Sequence, residues 1–378
     1  MDSSTLKKLY IVLGALITAL AVVAVLLAVG IGGSKKPQTE IPADVTSDVT
    51  SAREAPVTAP PETEPPKPEF QDIILSFVGD CMLASEDGRG AIYFNGFAET
   101  VDQSYFFSKV LEYFENDDFT IANCENVFTD KQLAKTGKNH TPAYWYKSKT
   151  ANAGIFKVGC VDVLSVANNH TYDYGEQGAL DTKEALENAG LLWGDDERPL
   201  VLEKYGIKIG LYLCTMYSEW QANRICDWIK ESSETTDYQI VYYHGGTEHQ
   251  FEPDEWRVRA SRKMVDAGAD LVIGAHPHVL QPMEEYNGAV IIYSLGNFLF
   301  GGARTTTDPF ATNRTVIYQQ VLRVKDGGIS ETGYNLIPCY QYKDASLLWQ
   351  PLPIDPEENY DDYKKVLDFM NGDCSSPK

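Results

Sequence analysis

The chain has 378 residues, which is enough for one large domain or two small ones with a substantial buried core. Its composition, with 43% hydrophobic and 23% charged residues, is ordinary for a globular protein. The formal net charge of −22 argues against nucleic-acid binding, and it disfavours other polyanionic partners unless a bound metal reverses the field locally.

The N-terminal part of the chain carries the signals of a membrane anchor. Residues 9–33 run without a charge, and a helix of that length, at ~1.5 Å per residue, spans the ~30 Å hydrocarbon core. Lys7 and Lys8 precede the run, which predicts that residues 1–8 are cytoplasmic and that the rest of the chain is extracellular. No A-x-A cleavage site follows, so an uncleaved, single-pass anchor in the cell membrane is favoured over a signal peptide.

A proline-rich linker follows the anchor. Residues 34–69 contain eight prolines among threonine, glutamate and alanine. Proline at this density keeps a chain extended and unpacked, so we expect a disordered stalk that holds a domain off the membrane. The rest of the chain then divides into a domain over residues 70–340 and a C-terminal capping segment over residues 341–378.

Beyond the linker, short apolar runs alternate with helical patterns, which predicts an α/β or layered α+β fold with buried strands. The predicted strands cover residues 73–78, 119–122, 161–166, 207–214, 239–243, 271–274 and 290–294. The predicted helices cover residues 105–116, 178–188 and 254–267. The seven cysteines are scattered without a C-x-x-C pair, so no disulfide framework is predicted, although a single disulfide remains open.

Five of the predicted strands end in polar residues. These residues are Asp80; Asn123, Glu125 and Asn126; Asn168, Asn169, His170 and Asp173; His244, Glu248 and His249; and His276 and His278. Four of the six histidines follow strands in this way, and a fifth, His249, lies close to His244 in the sequence. Ligands of open α/β sheets bind just beyond the carboxyl ends of the strands, so we expect one shared site at that edge.

The residue types at these strand ends favour a metal site. Carboxylate, amide oxygen and imidazole donors together suit borderline divalent metals, so we predict one or two ions of Mn, Fe or Zn. A carboxylate at a strand end could bridge two ions, which would activate water and hold a phosphoryl oxygen, and a histidine without metal could protonate a leaving group. If Asp80 and Glu125 face this site, strand alternation turns Cys81 and Cys124 away from it.

Six segments, in order from about residue 73 to residue 300, resemble the CapA family of capsule-synthesis proteins. FVGDCML is similar to the family's G-D-x-M-L opening, and ANCEN to its N-x-E segment. VANNHTYDYG is close to A-N-N-H-x-x-D-x-G, the most specific match, and GAHPHVLQP follows G-A-H-P-H-V-x-Q-P almost letter for letter. YSLGNFLF resembles S-L-G-N-F-x-F, and YHGGTEH resembles H-W-G-x-E with Gly245 where tryptophan is usual.

This resemblance implies the calcineurin-like metallophosphoesterase fold, in which two packed β-sheets are flanked by helices. The metal ligands that it implies are Asp80, Glu125 as the bridging carboxylate, Asn169, His244, His276 and His278. The catalytic residues would be His170, as the acid, and Asp173, while the candidates for substrate binding are Asn123, Glu248 and Asn297. Ordinary members of the fold carry D-x-H on the first strand, whereas this chain has Met82, so one metal site lacks an imidazole.

The resemblance leaves three functions open. The first is a metal-dependent hydrolase or transferase acting on a cell-envelope polymer such as poly-γ-glutamate or its phosphorylated precursor. The second is a non-catalytic, polymer-binding component of a capsule synthesis or export complex, with capsule synthase membrane subunits as partners. The third is a structural cell-surface domain with a vestigial site. Trp220 and the residues around Trp145 could stack on a substrate, although packing is the more common role of such side chains.

Overall fold

The computed structural model describes residues 69–86, 93–139, 141–301, 313–342 and 349–374. The predicted anchor over residues 9–33 and nearly all of the predicted linker lie outside these residues. Within the described part of the chain, no helix is long and apolar enough to span a bilayer. The anchor and the stalk therefore stay predictions.

The described residues contain seventeen strands and seven α-helices. In chain order the strands are β1 Gln71–Met82, β2 Ser85–Glu86, β3 Phe119–Cys124, β4 Val127–Phe128, β5 Tyr146–Ser148, β6 Val163–Ser165, β7 Leu192–Gly194, β8 Leu200–Lys204, β9 Ile207–Thr215, β10 Tyr238–His244, β11 Leu271–Ala275, β12 Leu280–Tyr286, β13 Ala289–Leu295, β14 Asn297–Phe300, β15 Arg314–Lys325, β16 Gly328–Tyr340 and β17 Leu352–Pro353. The helices are α1 Phe94–Ala98, α2 Leu111–Glu115, α3 Gly154–Val158, α4 Gly175–Asn188, α5 Ala222–Ser232, α6 Glu255–Asp266 and α7 Tyr360–Met370. Short 3₁₀ turns lie at Gln103–Tyr105, Thr150–Ala153 and Glu219–Gln221.

Two large sheets and one small sheet contain these strands. The first large sheet has the order β17-β16-β15-β1-β3-β6-β7, with β14 pairing to the end of β1, and the second has the order β12-β13-β11-β10-β9-β8. The strands β1, β3, β6 and β7 are parallel, as are β9, β10, β11 and β13. A small sheet of β2, β5 and β4 lies beside them. The prediction of a mixed α/β fold with more than one sheet is confirmed.

Apolar side chains hold the two large sheets face to face. One cluster joins Ile73, Leu75 and Phe77 of β1 to Ile240 and Ile273 of the second sheet. Helices α1 to α4 cover the other face of the first sheet, and α5 and α6 cover the other face of the second. The layers are therefore helix, sheet, sheet and helix, each hiding one apolar face from water.

Each predicted strand is present, but the predicted helix over residues 105–116 is broken. Only α2 is α-helical there, because the preceding residues form single turns closed by bonds such as Val110 N to Phe107 O, 2.9 Å. The Ser108 hydroxyl also donates to the Tyr105 carbonyl, 2.9 Å, and such local bonds compete with a regular helix.

The hairpin of β15 and β16 was not predicted. Its turn contains Asp326 and Gly327, with φ of 53° and 82°, which is the Asp-Gly pattern of a tight hairpin. The apolar alternation of β16 is weak because most of that strand is exposed, so the D-G signal was the usable one. Past the hairpin, α7 buries Val366, Phe369 and Met370 against the core between the sheets.

Candidate metal centre

The site lies where the carboxyl ends of both large sheets meet. Asp80 is near the end of β1 and Glu125 follows β3, while Asn169 and His170 follow β6. The second sheet brings His244 as the last residue of β10, and the turn after β11 carries His276 and His278. Parallel strands direct their carboxyl ends to one edge, so residues far apart in sequence come together there.

A close approach of two backbones sets the position of Asp80. Its amide donates to the carbonyl of Gly296, 2.9 Å, at a place where β1 breaks its register with β3. A Cβ on Gly79 would lie 1.8 Å from the same carbonyl oxygen, so only glycine fits at this position. The bulge turns the end of β1 away from β15 and aligns Asp80 with Asn297 of β14.

Five side chains form a cage, which we define as Asp80, Glu125, His244, His276 and His278. Asp80, Glu125 and His244 form one group of potential ligand atoms within 4.8 Å of one another, and Glu125, His276 and His278 form a second such group. Glu125 belongs to both, which suits the bridging role predicted for it. All five residues are buried.

The histidine pair adopts backbone conformations that are unusual for its residue type. His276 has φ of 96° and His278 has φ of 59°, both in the left-handed region. The His276 amide donates to Asp80 Oδ2, 3.1 Å, and its Nδ1 lies 3.0 Å from His244 Nε2. Strained backbone of this kind persists where the surroundings over-determine it, typically at functional sites.

Burial and mutual contact displace the pKa values of the cage strongly. Burial raises the pKa of Glu125 well above its usual range, with the charge of His278 opposing it. Burial also lowers the pKa of His244 and, further, that of His276, where the other two imidazoles add to the effect. Burial alone would lower the pKa of His278, but Glu125 and Asp80 raise it to about 10. Asp80 shows the converse, because hydrogen bonds to His244 and His278 outweigh burial and its pKa is lowered.

One polar atom of the cage has no hydrogen-bond partner within the protein. Glu125 Oε1 is buried without a hydrogen-bond partner, and the Nε2 atoms of His244 and His278 each lie 3.7 Å from it. An orphaned buried carboxylate oxygen is costly, whereas a cation among these donors would satisfy it. The residues present therefore fit a borderline divalent metal.

The amide residues surround the cage in different ways. Asn123 is fully buried, donates to Asp80 Oδ1 at 2.8 Å and lies 3.1 Å from His244 Nδ1, so its contacts orient two cage residues. Asn169 is exposed, with Oδ1 2.9 Å from His244 Nε2. Asn297 Oδ1 lies 2.9 Å from His278 Nδ1, and Glu248 is an exposed rim residue 3.9 Å from His276 Nε2. Each is near the cage, and their predicted roles in metal or substrate binding stay predictions.

His170 belongs to a separate hydrogen-bonded group, the relay, which we define as His170, Asp173 and Lys138. His170 Nδ1 lies 2.8 Å from Asp173 Oδ2, which also accepts from the Tyr146 amide at 2.8 Å. Asp173 Oδ1 lies 2.6 Å from Lys138 Nζ. Because a carboxylate only accepts, His170 carries its proton on Nδ1 and leaves Nε2 for another partner. Burial lowers the pKa of His170, with Asp173 opposing that effect.

Residues that depart from the family pattern have identifiable surroundings. Met82 is fully buried in an apolar group with Ala84, Tyr146 and Phe300, and the Phe300 ring lies 4.9 Å from the His278 ring. At the position of the D-x-H histidine, this chain therefore has a methionine that packs in the apolar core and offers no imidazole to a metal. Gly245 follows His244, and a Cβ there would lie 1.8 Å from the Met216 carbonyl oxygen, so this backbone admits no side chain.

Two residues at the site, Lys138 and Tyr217, escaped the sequence reasoning, and a third, Asn168, was placed at a strand end but given no role. Lys138 pairs with Asp173, and Asn168 donates to Asn123 Oδ1, 3.0 Å, while its own Oδ1 accepts from the His170 amide at the same distance. The Tyr217 ring stands edge-on to that of His276, with centroids 5.7 Å apart. Asn168 was visible beside Asn169 in the sequence. Lys138 had one signal, because it lies in a lysine-rich stretch of an acidic protein.

A cavity of about 250 Å³ opens beside the relay. Its lining consists of Lys138, Thr141, Pro142, Tyr144, Asn169, His170 and Glu248. Residues from the cage rim and from the relay therefore face the same space, as a substrate site requires.

Comparison with known proteins gives consistent matches. Residues 74–302 match the family model described as "Bacterial capsule synthesis protein PGA_cap". The "PGA biosynthesis protein CapA" of Bacillus subtilis is 32% identical over 271 residues, which cover 65% of this chain and 69% of that protein. The "Capsule biosynthesis protein CapA" of Bacillus anthracis is 30% identical over 268 residues, covering 63% and 62%. Among solved structures, the calcineurin-like phosphoesterase YfkN of Bacillus subtilis has a TM-score of 0.39 at 14% identity, covering 71% of this chain and 90% of that one.

Proposed function

The chain belongs to the PGA_cap family of bacterial capsule synthesis proteins, and from this we propose that it is a metal-dependent hydrolase or transferase acting on a cell-envelope polymer such as poly-γ-glutamate or its precursor. The observation that carries the proposal is the cage, in which two groups of buried ligand atoms share Glu125. His170, which is hydrogen-bonded to Asp173, lies close to this cage. The same proposal includes the fold: we propose that this domain has the calcineurin-like metallophosphoesterase fold.

The cage residues would hold one or two divalent ions, for which Mn, Fe or Zn are the candidates. Such ions polarise a phosphoryl or acyl oxygen and make bound water a nucleophile at neutral pH. The chain supplies the rest. Asn123 orients Asp80 and His244, Asn297 orients His278, and Asn168 links the cage to the relay through Asn123 and the His170 amide.

The relay suits proton transfer to a leaving group. His170 lines the cavity, and the bond between its Nδ1 and Asp173 Oδ2 leaves Nε2 as the nitrogen that can meet a substrate. Asp173 fixes the ring and stabilises its protonated form, while Lys138 holds the second oxygen of that carboxylate. A positioned acid of this kind contributes about 10²- to 10⁴-fold to a rate.

A non-catalytic role in polymer binding or export is the second candidate, and Met82 is the observation that favours it. The apolar packing of Met82 removes an imidazole from the end of β1, which weakens one of two ion positions. A centre that binds metal without turnover would retain the cage but would not depend on His170.

We also propose that the protein is tethered in the cell membrane with this domain outside. The uncharged run over residues 9–33, the lysines before it and the proline-rich linker support this arrangement. An anionic envelope polymer and the membrane subunits of a capsule synthase are the partners that fit such a position.

The test is the metal content and turnover of the full-length chain purified in detergent, compared with Asp80→Asn and His170→Gln. The proposal predicts at least one equivalent of Mn, Fe or Zn that is lost in Asp80→Asn. It also predicts cleavage of polymer or precursor that is lost in His170→Gln with the metal retained. Metal-dependent polymer binding without cleavage, unchanged in His170→Gln, would establish the second candidate instead.

A further inference from the structure

The most lysine-rich stretch of the protein borders the cavity. Residues 131–149 contain five lysines and neither aspartate nor glutamate, in a chain with a formal net charge of −22. The stretch contains no arginine. An acidic protein repels polyanions over most of its surface, so this stretch marks the approach by which an anionic chain meets attraction.

The lysines of this stretch differ in their partners. Lys131 is paired with Asp181, at 2.6 Å, and Lys149 with Glu99. Lys138 is paired with Asp173, and Lys147 is buried. Lys135 is exposed and has no carboxylate partner among the residues that the structure describes, so its charge is available to a ligand.

Trp145 holds two of these lysines in one place. The ammonium groups of Lys135 and Lys138 lie 5.2 Å and 5.7 Å from the centre of its ring. The indole is itself fixed, because Nε1 donates to the Thr136 carbonyl at 2.8 Å, and the Thr136 amide in turn donates to the Asp173 carbonyl at 3.0 Å. The Trp145 ring therefore attracts both ammonium groups, and because the indole is already fixed, little further conformational entropy is lost when a ligand binds there.

The two lysines lead from solvent to the relay. Lys135 is on the surface, Lys138 lines the cavity, and His170 lies in the same cavity. We propose that Lys135, Lys138 and Trp145 form a binding subsite for an acidic polymer, distinct from the cage, which takes carboxylates of the chain and leads its backbone towards His170. This inference rests on the proposed function, since it names the groups of the substrate that the site recognises.

Carboxylates are favoured over phosphates as the groups recognised. Lys138 already binds a carboxylate, Asp173, in this structure. Bidentate recognition of a phosphate employs arginine, whose planar fork binds two oxygens at once, and the stretch has none.

The experiment measures the affinity of the full-length chain in detergent for a short γ-linked glutamate oligomer, by calorimetry, at several salt concentrations. Lys135→Gln should weaken binding about two- to fivefold, as expected for one exposed ion pair, and should flatten its salt dependence. Lys135→Glu should weaken binding further. The matched controls, Lys149→Gln and Lys149→Glu, should leave the affinity unchanged, because Lys149 is already paired with Glu99, whereas Lys135 lies over Trp145 without a carboxylate partner among the described residues.

Three outcomes would overturn the subsite: equal affinity in Lys135→Gln and Lys149→Gln, no binding of the oligomer by the wild type, or binding of polyphosphate in its place. Repeating the titration with Asp80→Asn separates this inference from the proposed function. Dependence on Lys135 in that variant supports the subsite even if no turnover is ever found, whereas turnover without dependence on Lys135 removes the subsite alone.

Discussion

The cage and the relay lie side by side, and each contains a buried carboxylate, but the two carboxylates differ in how closely the protein places a cationic group against them. In the relay, Asp173 Oδ2 lies 2.8 Å from His170 Nδ1 and accepts from the Tyr146 amide, while Oδ1 has no hydrogen-bond partner but forms an ion pair with Lys138 at 2.6 Å. In the cage, Glu125 Oε1 also has no hydrogen-bond partner, and the imidazole nitrogens of His244 and His278 that face it are 3.7 Å away. The protein therefore places an ammonium group directly against the buried carboxylate of the relay, whereas no cationic side chain of the described residues comes as close to Glu125 Oε1. The comparison separates the residues that should affect chemistry alone from those that should affect metal content.

The largest expected effect is on turnover, from the relay. His170→Gln removes the proton donor that we propose and should lower the rate about 10²- to 10⁴-fold. Because His170 is outside both groups of cage ligands, bound metal should stay at the wild-type level, as measured by elemental analysis. Loss of metal in this variant would show that the two regions are one unit.

Asp173→Asn should act mainly on stability. It leaves Lys138 without its anion at a site where the Asp173 side chain is fully buried, and breaking such a pair costs about 3–5 kcal/mol. Denaturant unfolding of the metal-free variant measures this loss. A change below about 1 kcal/mol would mean that solvent reaches the Lys138–Asp173 pair, since exposed pairs contribute only that much.

Glu125→Gln should show the converse behaviour. Burial raises the pKa of Glu125, so the metal-free fold disfavours the charged form of this side chain, and glutamine has nearly the same shape without a charge. The stability of the metal-free protein should therefore hardly change. Metal affinity should fall about tenfold or more, the scale of effect seen when even residues around a metal's ligands are replaced. Competition with a chelating dye measures it, and Asp117→Asn, outside the cage, is a control.

The last prediction concerns the pH dependence of stability in the cage. His278 has a pKa raised to about 10 in the metal-free fold, against about 6.5 in an unfolded chain, so the fold holds this proton more tightly. Its contribution to stability is therefore complete below about pH 6.5 and is lost as pH rises to about 10. Thermal unfolding of the metal-free protein across that range should show this decline. The metal-loaded protein should not, because a ligating imidazole carries no such proton.

The sequence predicted the fold further than it predicted the site. The cage residues could be located from the sequence because each follows an apolar strand, and the carboxyl ends of parallel strands lie at one edge of a sheet. The contacts that make them a unit are tertiary: Gly79 against Gly296, and the left-handed turns at His276 and His278. Lys138 lies on an irregular segment with no periodicity, so no pattern could place its ammonium beside Asp173. The family predicted from motifs is confirmed, whereas the anchor rests on residues outside those described.

The distribution of the cage along the chain also bears on when the centre can form. Its carboxylate Asp80 accepts from the amide of His276, a contact that spans 196 residues of sequence. No partial chain that ends before the second sheet contains the whole cage, so the full set of ligands is not available during early synthesis. If the protein reaches the extracellular position that we propose by crossing the membrane unfolded, it takes its ion on the far side. The metals present in that compartment, rather than those of the cytoplasm, would then decide which one the centre holds, because ligand affinity alone distinguishes first-row metals poorly.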